Sequence, residues 1–341
     1  EALPLLLAAR DLAAPAAAGI EERAALLSEL AAAYSTSRRT RDSIAADAEA
    51  IRLLQAAQGD HRDEITRLRL RELHNHVNLL DVPLADSRTR LEAILADLER
   101  QVPAPEPLLL QAYRALSSVY DAQNERERAV AMAERALALS TRRYGADDPR
   151  ALSSRVVHAT AVAKLDPARA VPLYRDLAAD QERLTGPGLN LVGVLNNLGV
   201  TLSQLDRADE AIEVYRRTAR LARESGGENH WLYLSATSNL ATLLARHGDV
   251  REAQRLVLEV LPALEQAARS GSGMDPGYYA AALGTLADTQ LALGEARAAA
   301  DSYRKALGAL EPVDPQAYAE IRAELEQGLA KSEAAAAPRN R

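Results

Sequence analysis

Apolar residues return along this chain at steps of 41, 41, 42 and 46 residues, at Leu116, Val157, Leu198, Leu240 and Leu286. Thirteen residues after each stands an alanine (Ala129, Ala170, Ala211, Ala253, Ala299). Four residues further on come Ala133, Tyr174, Tyr215, Val257 and Tyr303. A fixed period of this length marks a stack of repeats, each unit burying its apolar face on its neighbours. The phase continues upstream in weaker form. An anchor at His74 places Ser87, Leu91 and Ile94, and one at Leu30 places Ser43, Asp47 and Ala50.

Each unit reads as two helices. Around Leu198, the residues Leu191, Val194, Leu195, Leu198 and Leu202 form one helical stripe, and Ala211, Ile212, Tyr215 and Ala219 form a second. Gln204-Leu205-Asp206-Arg207 makes the turn between them, and the equivalent turns carry Asn124, Gly248 and Gly294, residues that tolerate left-handed backbone angles. Breaker clusters separate the units: residues 144–149, Gly186-Pro187-Gly188, Gly226-Gly227 and Ser270-Gly271-Ser272-Gly273. The small residue opening each second helix lets it approach the first closely. The fold predicted is all-α, an α-solenoid of about seven antiparallel helix pairs.

The layout expected is two divergent units over residues 20–100, five regular units over 108–312, a capping helix over 315–332 and a disordered tail over 333–341. Residues 1–14 match the start of a second helix (Glu1-Ala2 beside Glu210-Ala211), so the chain is expected to begin in mid-unit, with its parent continuing upstream.

Composition narrows the choice of function. Aromatics are 4%, with no Phe, while Ala and Leu carry the apolar fraction, which suits close-packed helices rather than a β-sandwich. Only Lys164, Lys305 and Lys331 are lysines among 41 basic residues, a bias that points to a GC-rich bacterial genome. A net charge of −7 argues against a general nucleic-acid binder. Zero cysteines exclude disulfides and thiolate chemistry. No apolar run reaches the length of a membrane span, so no direct membrane insertion is expected of this segment.

The spacings resemble tetratricopeptide repeats, which have Leu-Gly in the first helix and Ala, then an aromatic, in the second. Leu195, Leu198-Gly199, Leu202, Ala211 and Tyr215 carry the likeness most fully. The long period, Leu195-Asn196-Asn197-Leu198-Gly199 and the loop at residues 143–149 are similar to the kinesin-light-chain type of repeat. The resemblance implies a concave face lined by the first helices, where a protein or peptide ligand lies. Carried over by position, that groove takes Arg69, Glu72 and His76, then Gln111, Arg114, Ser118, Asp121 and Arg155, then Asn196, Gln204, Ser238 and Arg246. Asn197 and Asn239 match an asparagine that bonds peptide backbone in such arrays. The alternative is that both hold a neighbouring loop or helix. Arg114 and Arg155 either pair with carboxylates of the chain itself or anchor an acidic side chain or C-terminal carboxylate.

Little other chemistry emerges. His74 and His76, two residues apart, point to different helix faces and make a poor metal pair. Gly271-Ser272-Gly273 lacks the strand-turn-helix setting of a nucleophile elbow, and there is no phosphate loop. Arg62, Arg67, Arg69 and Arg71 alternate with Asp60, Asp63, Glu64 and Glu72, which predicts ion pairing along one helix. Trp231 reads as a packing residue. No catalytic residue, cofactor or metal is expected.

The function expected is a non-catalytic peptide-binding scaffold. By resemblance it is the sensor or recruiting region of a bacterial signalling protein such as a Ser/Thr kinase. The alternative is an assembly module that self-associates through the ends of the array. A membrane-tethered parent would place the segment in the periplasm; otherwise it would be cytoplasmic.

Overall fold

The computed structural model describes residues 19–36, 39–79, 83–269, 276–311 and 318–337. The expected half-unit at residues 1–14, which would make the contact in a self-associating array, lies outside them. So do the linker 270–275 and the last residues, 338–341. The chain forms two compact units, Glu1–Ala170 and Val171–Arg341. Among the described residues every regular element is a helix.

The first unit holds α1 (Ile20–Thr36), α2 (Thr40–Ala56), α3 (Arg62–Leu79), α4 (Leu84–Arg100), α5 (Glu106–Ala122), α6 (Arg126–Tyr144) and α7 (Pro149–Leu165). The unit boundary falls in the first turn of α8 (Pro167–Thr185). The second unit continues with α9 (Leu189–Gln204), α10 (Ala208–Gly226), α11 (Trp231–Arg246), α12 (Val250–Arg269), α13 (Pro276–Ala292), α14 (Ala296–Leu310) and α15 (Ala319–Ala336). Successive helices pack on one another from α1 to α7 in the first unit and from α9 to α15 in the second. The first helices of successive pairs also touch: α3 with α5, α5 with α7, α9 with α11 and α11 with α13. That second set of contacts makes the first helices an inner layer.

The phased small residues explain the closeness of the pairs. Ser43, Ser87, Ala129, Ala170, Ala211, Ala253 and Ala299 are all buried. The anchors Leu30, Leu116, Leu198, Leu240 and Leu286 are buried too, whereas His74 and Val157 are only partly so. In the pair α9–α10, Gly199 gives up its side chain to the ring of Tyr215, since a Cβ there would lie 2.6 Å from the ring. The turns behave as their residues require. Asn124, Asp206, Gly248 and Gly294 have φ of 61°, 57°, 95° and 84°, which reverses the chain within a few residues. The turn from α7 to α8 departs from this pattern: Asp166 alone links the helices, in extended conformation at φ −147°.

The divergent units are joined by polar groups that the repeat pattern does not contain. Asp47 is fully buried on α2. Arg71 of α3 donates to it from Nε at 2.8 Å and from Nη2 at 2.5 Å, and Nη2 also reaches the Ser28 carbonyl of α1 at 2.9 Å. Ser43 Oγ donates to the Ala31 carbonyl at 2.7 Å and accepts from Asn75 Nδ2 at 3.0 Å. Arg71 therefore ties three helices together, which corrects the expectation that the arginines of this stretch pair along their own helix. Arg67 does pair along its own helix, with Glu64, and Arg62 pairs locally with Asp60 at 3.6 Å. Within the first unit, packing between successive helices is least extensive between α3 and α4. There a histidine replaces the apolar anchor.

At the C-terminus α15 packs on α14 and α13, burying Leu325, Gly328 and Ser332. It begins at Ala319 and runs past the expected end of the cap to Ala336. Ala334, Ala335 and Ala336 are strong helix formers, and Glu333 is held by Arg304 at 2.8 Å.

Candidate functional site

The residues assigned to a groove fall into two sets, one in each unit. In the first unit Arg69 is exposed on α3, and His76 is half-buried one turn beyond Glu72. Burial pushes the Glu72 carboxyl above its usual value, and His76 pulls it down. His76 and Arg155 both interact within the protein, so neither is a free group. Gln111 and Arg114 of α5 differ. They line a cavity of about 220 Å³ with Arg67, Arg71 and His74 of α3. Arg114 is the one arginine of this cavity without a carboxylate partner among the described residues, and burial depresses its pKa. The intramolecular pairing considered for Arg114 is thus not formed.

In the second unit Asn197 on α9 and Asn239 on α11 stand at the same repeat position, each just before its anchor leucine, and both are half-buried. Neither side chain has a hydrogen-bond partner among the described residues. The Asn197 carbonyl accepts from Thr201 Oγ1, which is ordinary helix back-bonding. The buried Asn196 Oδ1 and Ser238 Oγ also lack partners. Buried polar groups are normally paired, and each exception asks for an explanation. Holding a neighbouring loop or helix does not supply one here.

Arg246, exposed at the end of α11, lines a separate cavity of about 470 Å³ with Thr242, Asp288, Tyr303, Glu324 and Lys331. The structure does not place Asn197 or Asn239 in it. Two of its charged residues, Glu324 and Lys331, come from α15, a contribution from the capping helix that the repeat spacing did not indicate. Thr242 and Thr285 share a hydrogen bond of 2.9 Å there, joining α11 to α13. Trp231 is half-buried, beside His230 at 6.1 Å between ring centroids.

Arg67, Arg71 and His74 were missed as cavity residues. One signal for them was present: a polar residue at an anchor position where the other units have Leu or Val.

Phased small residues, layered first helices and a polar inner row define an α-solenoid scaffold. Models of the tetratricopeptide repeat match residues 109–150, in the first unit, and 191–266, in the second, so the helix pairs there are tetratricopeptide repeats. The class is that of protein-interaction scaffolds. Among solved structures the chain is similar to BtubC (BKLC) from P. vanneervenii, with a TM-score of 0.59 at 17% identity over 67% of this chain and 91% of that one. It is also similar to the nearly identical TPR-like repeats assigned to a Podosopora anserina kinesin light chain (TM-score 0.51, 20% identity, 62% of this chain and 100% of that one). A third likeness is to the apo form of RapI, with a TM-score of 0.59 at 12% identity over 91% of this chain and 86% of that one. At these identities the likeness is one of fold. No curated protein matches the chain in sequence. Among the described residues no helix is long and apolar enough to cross a membrane.

Proposed function

We propose that this chain binds an extended peptide segment of a partner protein along the first helices of its second unit, without catalysis. The observation that carries this reading is the pair Asn197 and Asn239. They are carboxamides in the same register one repeat apart, half-buried, with their side-chain hydrogen bonds unmade among the described residues. A carboxamide both donates and accepts, so it matches a peptide group in either direction. An extended chain offers such groups at about 3.3 Å per residue, so two fixed carboxamides can hold it largely independently of its sequence. Specificity then falls to other side chains along the first helices, such as Arg246 at the exposed end of α11. Because tetratricopeptide arrays occur in bacteria within multidomain signalling proteins, we assign the chain to the sensing or partner-recruiting part of a larger protein of that kind, a Ser/Thr kinase being one example.

Panning a phage-displayed random peptide library on the purified chain tests the reading. An enriched peptide that binds wild type and loses binding to the Asn197→Ala/Asn239→Ala variant, at unchanged helicity, is the expected result. Enriched peptides that bind the double variant equally well would sink the proposal.

A further inference from the structure

In the second unit the two layers of helices are joined by different forces. The first helices of successive pairs touch, α9 with α11 and α11 with α13, and their anchors Leu198, Leu240 and Leu286 are buried. No comparable packing joins the second helices α10, α12 and α14. Ion pairs cross between them instead. Arg216 of α10 meets Glu252 of α12 at 2.8 Å, and Arg223 stands 3.9 Å from Glu259, seven residues further along both helices. Glu265 of α12 then meets Lys305 of α14 at 3.4 Å. Between α8 and α10 the rungs are Arg175–Glu210 at 2.5 Å and Glu182–Arg217 at 2.7 Å, again seven residues apart. Seven residues make about two helical turns, so the two rungs of a step face the same way. This last pair of rungs spans a cleft of about 830 Å³ that reaches down to Leu195 and Leu198 of α9. The first unit repeats the arrangement: Arg88 of α4 meets Glu125, just before α6, at 2.7 Å, and Glu99 of α4 meets Arg135 of α6 at 3.4 Å.

The two kinds of contact respond differently to the medium. Apolar packing acts at contact distance and is not screened by ions. An exposed ion pair is weak in water and loses its attraction as salt rises. The partners in every rung of the second unit are open to solvent. We infer that the outer layer of the second unit is a salt-responsive hinge series, in which the ion pairs hold the second helices at their spacing and the packed first helices are the pivot. Releasing the rungs lets α10, α12 and α14 part, while α9, α11 and α13 keep their spacing. Stability changes little, because exposed pairs contribute little to it. Geometry changes, because no packed contact takes over when the charges let go. The inference stands apart from the peptide reading, which rests on residues of the first helices.

The test uses the whole chain. It has no cysteine, so introduced pairs carry the only spin labels. Arg220→Cys/Gly308→Cys marks the same repeat position on α10 and α14; both residues are exposed, and Arg220 has no ion-pair partner among the described residues. Gly193→Cys/Ala281→Cys marks one repeat position on the first helices α9 and α13. Pulsed dipolar spectroscopy reads each distance from about 0.01 M salt, where the Debye length is about 30 Å, to about 1 M, where it is about 3 Å. The outer distance should lengthen with salt and the inner one should hold. Adding Arg216→Gln/Arg223→Gln/Lys305→Gln to the outer pair should give the long distance already at low salt, with no further response. Arg216→Glu alone sets two carboxylates face to face and should lengthen the low-salt distance, and adding Glu252→Arg should restore it. That exchange keeps the test decisive if the triple variant folds poorly. An outer distance indifferent to salt, equal lengthening of both distances, a triple variant that responds as wild type does, or Arg216→Glu without effect would overturn the inference.

Discussion

The ring of Tyr215 lies over Gly199 so closely that a Cβ on the glycine would stand 2.6 Å from Cε1. Tyr215 is itself buried, and burial pushes its phenol up to about 12. A ring buried to this degree has little room to swing aside. Gly199→Ala should therefore destabilise the chain by about 1–3 kcal/mol, the range for overpacking a closed contact. That outcome runs against the ~1 kcal/mol preference of helices for alanine. Gly193→Ala, in the same helix with nothing within 4 Å of the added carbon, should be neutral or slightly stabilising. Urea denaturation midpoints of the two variants give the comparison.

The buried pair Asp47–Arg71 predicts an asymmetric mutational response. Asp47→Ala strands the Arg71 guanidinium and should cost about 3–5 kcal/mol, whereas Asp47→Leu/Arg71→Met should recover most of that loss. Thermal unfolding of the single and double variants decides it.

Two carboxylates should move stability with pH in opposite directions. Burial pushes Asp47 above its usual value, more than Arg71 lowers it. Its favourable contribution is therefore full below the unfolded-state value and is lost as pH rises through the raised folded value. Asp148 is the reverse. As N-cap of α7 it accepts from Arg150 N at 2.8 Å and pairs with the Arg150 side chain, which holds it down at about 2. Its contribution is present above the usual carboxylate value and fades as pH falls towards about 2. Melting temperatures of wild type, Asp47→Asn and Asp148→Asn across the acid range should diverge with these opposite slopes. Carboxyl NMR titration checks each group directly.

The cap depends on a second glycine. A Cβ at Gly328 would lie 2.3 Å from Cζ of Tyr303, whose hydroxyl donates to Asp288. Gly328→Ala should loosen α15, seen as faster amide hydrogen exchange over Ala319–Ala336 with α9 and α10 unchanged. Gly308→Ala, with open space around it, should leave exchange as it is.

The repeat, the helix pairs and the left-handed turns at Asn124, Gly248 and Gly294 were legible in the sequence. Each is written in short-range terms: a stripe at helical spacing, a small residue at a fixed offset, a residue that tolerates positive φ. Which cations are paired was not legible. Arg114 and Arg155 hold the same position two residues before their anchors, yet Arg155 is engaged within the protein and Arg114 has no counter-ion among the described residues. Arg71 finds its partner 24 residues away on another helix rather than among the acids beside it. The unmade hydrogen bonds of Asn197 and Asn239 belong to the same category. The sequence by itself determined the period and the helices, because helix periodicity and turn chemistry are local. Only the tertiary structure decided which polar groups remain open to a ligand, because that depends on what distant helices bring within reach of each side chain.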